Sequence, residues 1–216
     1  MTLRLALFDL DGTLVDSQGH IVAAMEAAFA AADRPAPPRE TVLGCVGLSL
    51  PLVFERLAPG ADHADMLEAY KSHYAAARAK APAPTFPGIT EALDTLGEAP
   101  ETLIGIATGA SRRGLRAMID AHGFRLATAQ CADDHPSKPD PSMVAAALAE
   151  TSVSPENAVM IGDSTFDMQM ARAAGIFALG VAWGYHTPDN LRRAGAQEVV
   201  ESPAALVATL HEIWRI

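Results

Sequence analysis

The chain has 216 residues, 50% of them hydrophobic, and sets 16 Lys and Arg against 26 Asp and Glu for a formal charge of −10. That is enough sequence for one large domain or a domain carrying an insertion, and with only 19% charged residues the apolar content excludes a disordered chain. The acidic balance, with no run of Lys or Arg, excludes a protein built to grip the phosphate backbone of nucleic acid.

Leu3 to Leu10 is apolar apart from Arg4 and Asp9 and ends in Asp9-Leu10-Asp11-Gly12-Thr13, the pattern of a buried strand entering a turn. The run is too short for a signal-peptide core, and no segment approaches the roughly 18 apolar residues of a membrane span. A cytoplasmic protein is the expectation. From Ser17, the apolar positions Ile21, Ala24, Met25, Ala28, Phe29 and Ala32 recur at helical spacing, with Asp16 or Ser17 expected as N-cap. Pro35-Ala36-Pro37-Pro38 stops that helix, an Ala-rich helical stretch continues to about Lys80, and Ala81-Pro82-Ala83-Pro84 closes it. The two Pro-rich marks delimit an inserted α-helical cap at 17–84, leaving 1–16 and 85–216 as the core.

After Pro87-Gly88 the periodicity predicts a helix over Ile89 to Leu96, a buried strand over Thr102 to Ala107 ending at Thr108-Gly109, and a helix from Ser111 to His122 with Gly123 behind it. A helix from Pro141, a strand from Ala158 to Ile161 ending at Gly162-Asp163, a helix near Met168 to Ala174 and a strand from Ile176 to Val181 follow. This alternation predicts an α/β protein with a doubly wound, Rossmann-like parallel sheet, whose ligands bind beyond the carboxyl ends of the strands. Cys45 and Cys131, far apart and in unlike contexts, indicate neither a disulfide framework nor a thiolate metal site.

The chemistry-bearing residues fall at those strand ends. Asp9 and Asp11, two apart where a strand ends, share a direction. Such paired carboxylates can hold a hard divalent cation, and Mg²⁺ commonly takes one or two carboxylates, waters and a substrate phosphate. Thr108, Asp163 and Asp167, with Lys138 in the Pro136-Ser137-Lys138-Pro139-Asp140-Pro141 loop, can join the same site.

Asp9-Leu10-Asp11-Gly12-Thr13, Thr108, Lys138 and Gly162-Asp163-Ser164-Thr165-Phe166-Asp167, in this order, resemble the four motifs of the haloacid dehalogenase-like (HAD) superfamily of phosphohydrolases. The resemblance covers most of the chain, and with the Asp9 to Ser17 run and a helical cap it is nearest the phosphoglycolate phosphatase-type branch. It implies a phosphatase acting on a small phosphorylated metabolite, with Asp9 as the nucleophile that forms an aspartyl-phosphate and Asp11 as general acid and base. It implies phosphate binding by Thr108, Lys138, Gly12 and Gly109, and a Mg²⁺ ion held by Asp9, Asp163 and the Asp11 carbonyl. Asp167 would reach the ion through water or orient Lys138. No nucleic acid or membrane partner is implied, and a monomer or homodimer is expected.

One departure stands out: many family members follow the motif-two Thr with Asn, where this chain has Gly109-Ala110-Ser111. Ser111 or the bare Gly109 amide could substitute. Three rival readings stay open: a β-phosphoglucomutase-like phosphotransferase, a dehalogenase (against which Asp11 argues) and a catalytically silent HAD-fold binding module (against which the intact motif set argues). Among the remaining residues, Asp16 reads as a helix cap, Asp133-Asp134-His135 as turn chemistry, and Trp183 and Tyr185 as packing against the sheet edge. No two histidines stand at the i, i+4 spacing of a zinc site. Gly44-Cys45-Val46-Gly47-Leu48-Ser49 resembles a cap loop that closes over substrate. Arg56, Lys71, Arg78 and Lys80 read as a solvated helical face.

Overall fold

The computed structural model describes residues 2–215. Successive side chains of β1 (Arg4–Phe8) alternate, so Leu5 and Leu7 enter one apolar cluster and Ala6 and Phe8 another. Burial on both faces is the condition of a central parallel strand. β2 (Thr102–Thr108), β3 (Thr128–Cys131), β4 (Ala158–Gly162), β5 (Phe177–Val181) and β6 (Glu198–Val200) join it in the order β3-β2-β1-β4-β5-β6, every pairing parallel. The expected doubly wound α/β fold is thus observed. The chain runs outward from β1 through β2 to β3, then returns to the other side of β1 for β4. This reversal opens a crevice at the carboxyl end of β1.

The helices are α1 (Gln18–Ala31), α2 (Arg39–Leu43), α3 (Leu50–Leu57), α4 (Ala64–Lys80), α5 (Ile89–Gly97), α6 (Arg112–His122), α7 (Ser142–Thr151), α8 (Thr165–Ala174), α9 (Pro188–Ala194) and α10 (Pro203–Trp214). Ile89 and Leu96 of α5, Leu115 and Met118 of α6 and Leu206 and Leu210 of α10 pack with Phe8 and Ile106 on one face of the sheet. Met143 and Ala147 of α7, Met168 of α8 and Leu191 of α9 cover the other with Leu7 and Met160. Helices α1 to α4 enclose a separate core of their own, in which Met25, Phe29, Val42, Phe54 and Met66 are buried together.

Local signals account for most of these boundaries. Ser111 caps α6 by accepting a hydrogen bond from the Gly114 amide (3.2 Å), and Gly123 ends it at φ 67°. Helix α8 begins at Thr165, earlier than the periodicity alone suggests, because Ser164 and Asp167 form a reciprocal capping box. The edge strands β3 and β6 went unrecognised: at four and three residues they carry no long apolar run. Ser17 stands at the N-cap position of α1, but its side chain makes no capping hydrogen bond. Asp16 does not cap either; it accepts from Gln18 Nε2 (3.0 Å). The capping expectation for both residues is therefore corrected, and Ser17 is engaged elsewhere. Both cysteines are free and buried. Among the described residues no helix is long and apolar enough to cross a membrane.

Candidate active site

Asp9 follows β1, Thr108 ends β2 and Asp163 follows β4, so sheet order alone gathers three residues from distant parts of the chain at the crevice. The Lys138 loop completes the set. Its ammonium lies 2.8 Å from Asp9 Oδ1 and donates to Asp167 Oδ1 at 2.6 Å, and all three side chains are essentially inaccessible. Asp9 Oδ1 has only that ammonium beside it, and Asp9 Oδ2 has no hydrogen-bond partner. A buried carboxylate oxygen left without a partner is costly unless something else occupies its open side.

Asp163 is fixed differently: Oδ1 accepts from the Thr13 hydroxyl (2.9 Å) and Oδ2 from the Tyr185 amide (2.8 Å). Both oxygens of Asp167 are taken, Oδ1 by Lys138 and Oδ2 by the Ser164 amide (3.0 Å) and hydroxyl (2.6 Å). The geometry thus gives Asp167 the task of orienting Lys138. Carboxylate oxygens of Asp9, Asp163 and Asp167 lie within 4.8 Å of one another. A buried, all-oxygen set suits a hard cation such as Mg²⁺, and with both Asp167 oxygens engaged, Asp9 Oδ2 is the oxygen of this set left without a hydrogen bond or an ion-pair contact.

The electrostatics follow from burial. Desolvation pushes Asp9 well above the usual carboxylate range; Lys138 pulls it down, while Asp167 and Asp163 add to the rise. Asp163 is pushed up to about 7, first by burial and then by the charge of Asp167. Burial works against the Lys138 ammonium too, but Asp167 and Asp9 outweigh it and hold the proton above the ordinary lysine range. Burial also raises Asp11, opposed by a short hydrogen bond from Ser17 Oγ to Asp11 Oδ1 (2.5 Å). A carboxyl held toward its acid form is what a proton donor needs.

Glycines make the packing possible. A Cβ on Gly162 would stand 2.4 Å from Asp167 Cγ, and one on Gly184 would stand 2.1 Å from Asp163 Cβ. Gly12, expected among the phosphate binders, donates its amide to Val15 O (2.9 Å), and at φ +88° a Cβ on it would stand 2.4 Å from Asp163 Oδ2. Thr108 Oγ1 accepts from the Ala110 amide (3.1 Å), and the side chain sits at the cavity wall beside Gly109.

The loop Gly44–Ser49 seats directly on this site. The Ser49 amide donates to Ser137 Oγ (2.8 Å), next to Lys138. A Cβ on Gly47 would meet Ser164 Oγ at 2.9 Å, and one on Gly109 would meet Gly47 O at 2.5 Å and Leu48 O at 2.7 Å. Loop backbone fills the space beside Gly109, where the sequence departs from the family's common Asn. Ser111 lines the cavity while its hydroxyl oxygen accepts from the Gly114 amide, which leaves its O–H free to donate.

Several participants escaped the sequence reading. Tyr185, expected to pack at the sheet edge, donates its amide to Asp163 and accepts through its hydroxyl from the Ser17 amide (3.1 Å). Trp183 does pack on the sheet cluster, and its indole N–H donates to Thr13 O (3.0 Å). Asp134 pairs with Arg112, Asp133 accepts from the Arg112 amide (2.9 Å) and lines the cavity, and His135 contacts Ser142 Oγ (2.7 Å) and Gln130 Oε1 (2.9 Å), so these side chains tie the segment to α6, β3 and α7. Of the basic residues on the helical unit, Lys71 and Arg78 reach the cavity wall. Trp183-Gly184-Tyr185 directly after a buried strand was the signal available for this edge of the site.

Known proteins are similar to this chain over most of its length. The chain is 33% identical over 221 residues to "Probable phosphatase IndB" of Dickeya dadantii, covering 98% of this chain and 95% of that one. It is 32% identical over 212 residues to a plasmid-encoded phosphoglycolate phosphatase of Cupriavidus necator, covering 94% and 91%. The crystal structure of a hydrolase from Pseudomonas syringae superposes with a TM-score of 0.87 at 27% identity, over 99% of both chains. Residues 6–181 match the family described as haloacid dehalogenase-like hydrolase, and with the site just described the chain belongs to that family.

Proposed function

We propose that this HAD-like phosphatase, a phosphoric monoester hydrolase, cleaves a small phosphorylated metabolite with Mg²⁺ through an aspartyl-phosphate on Asp9. The observation that carries the reading is the Asp9 carboxylate: buried, flanked by Lys138 and Asp163, with Oδ2 unpartnered. Asp9 attacks phosphorus as the ester P–O bond breaks, and Asp11 gives its proton to the departing alkoxide, releasing the alcohol. Asp11, now ionised, takes a proton from the water that attacks the aspartyl-phosphate, which frees Asp9 and inorganic phosphate. The Lys138 ammonium and Thr108 hydroxyl face the equatorial phosphoryl oxygens, where charge must be stabilised. Asp167 and Ser164 keep Lys138 aimed. Asp9, Asp163 and the Asp11 carbonyl would hold the Mg²⁺ ion, which would supply charge that offsets the repulsion between carboxylate and phosphate. Residues 17–84 act as the cap, whose loop at Gly44–Ser49 shields the reaction from water.

The names of the relatives make 2-phosphoglycolate the first compound to try. The test is Mg²⁺-dependent phosphate release from a panel of small phosphomonoesters, for the natural chain and Asp9→Asn together. Release by the natural chain alone, at least about a thousandfold above the variant, is expected. Equal rates, or release by neither, would overturn the proposal.

A further inference from the structure

The cavity above Asp9 has a volume of about 370 Å³. A phosphoryl group, about three water-sized oxygens on phosphorus, fills on the order of 100 Å³, taking about 30 Å³ per water-sized atom, so most of the space lies beyond the reacting phosphate. That remainder extends into the helical unit. Its wall there is mostly apolar: Ile21 and Met25 of α1, Val42 of α2 and Leu67 of α4, with the rings of Tyr70 and Tyr74 of α4, whose hydroxyls lie toward Asp11. Ile21, Met25 and Val42 are buried, and Tyr70 and Tyr74 stack with ring centroids 5.9 Å apart and planes 14° apart. A two-carbon acid would leave this wall uncovered.

We infer that the substrate is a phosphomonoester of an alcohol with an apolar body of about ring size, which lies against α1 and α4 while its phosphate meets Asp9. The inference rests on the phosphatase reading and adds the substrate class to it. The cationic residues on the same wall, Lys71, Arg78 and Arg113, could instead take a second anion. Lys71 and Arg113 are solvent-exposed, so water already satisfies them, and the half-buried Arg78 is a single guanidinium beside four aliphatic side chains and two aromatic rings, among which methylenes of an occupant would leave water.

The experiment is kcat/KM with Mg²⁺ for straight-chain alkyl phosphates from ethyl to hexyl, with 2-phosphoglycolate beside ethyl phosphate to isolate the effect of a carboxylate. Burial of each methylene is expected to raise kcat/KM about fourfold until the wall is covered. Ala75→Leu, which adds bulk on α4 at the cavity wall, should shorten the best chain length. Calorimetric binding of the matching alkylphosphonates, whose C–P bond is not hydrolysed, reads the wall without turnover. A flat or falling series, or a clear preference for 2-phosphoglycolate over ethyl and longer esters, overturns the apolar-body inference and leaves the hydrolase standing. Phosphonates that bind more tightly with length, with no ester turned over, support the apolar seat and overturn the hydrolase. Neither turnover nor phosphonate binding overturns both.

Discussion

Lys138 is the one cation buried between Asp9 and Asp167, 2.8 Å and 2.6 Å from their oxygens, with none of its own side chain exposed. Lys138→Met keeps most of the stem volume and removes the charge, leaving the carboxylate cluster uncompensated. Removing one partner from a buried ion pair costs about 3–5 kcal/mol, and at about 2–4 °C per kcal/mol for a chain of this size the melting temperature should fall by about 6–20 °C. The loss should depend on pH. Asp9 and Asp163 already sit above the ordinary carboxylate range, and without the ammonium they rise further. A carboxyl whose folded pKa exceeds its unfolded value, near 3.9, destabilises the fold as pH climbs through that interval. The penalty is complete only above the folded pKa, which for Asp163 is about 7 in the natural chain. The deficit should therefore be larger at pH 8 and shrink toward pH 5, where the cluster takes up protons. The assay is thermal unfolding of both proteins with chelator present at the two pH values. An equal loss at both would refute the electrostatic argument and assign the effect to packing of the lysine stem.

Gly109→Ala places a Cβ against two loop carbonyls at 2.5 and 2.7 Å. Withdrawal of the Gly44–Ser49 loop should lower kcat/KM roughly 10- to 100-fold with little change in melting temperature, and unchanged kinetics would show that the loop does not need that seat. Ser17→Ala removes the hydrogen bond that holds Asp11 down, so the basic limb of the pH–kcat profile should move upward; a static or lowered limb would remove Asp11 from the acid role. Divalent metal must displace protons from the raised carboxyls, so the rise in melting temperature on adding Mg²⁺ should be larger at pH 8 than at pH 6. The opposite order, from the same unfolding scans, would contradict binding at this cluster.

Tyr185 and Ser17, 168 residues apart, meet at Asp11, and no spacing rule along the chain could have paired them. Ser17 shows the limit well: its position before an amphipathic helix marks it as a cap, and it does occupy that position. Its hydroxyl nonetheless turns to Asp11, because a half-buried carboxylate competes for it more strongly than a helix amide that water can reach. The expected capping role was a sound local inference overruled by a tertiary contact.

What the sequence alone determined is the sheet class and the four motif positions. Asp9, Thr108 and Asp163 each follow or end an apolar run that can be buried only as a central parallel strand, and such strands deliver their carboxyl ends to one crevice. Lys138 was readable from its motif, though its neighbours were not. Tertiary structure alone decided that both oxygens of Asp167 are occupied, that the Gly47 and Leu48 carbonyls fill the space beside Gly109, and that α1 and α4 line the cavity with apolar side chains. Periodicity records which face of an element is buried; what that face meets depends on strand order and loop closure, which bring together groups that have no relation along the chain.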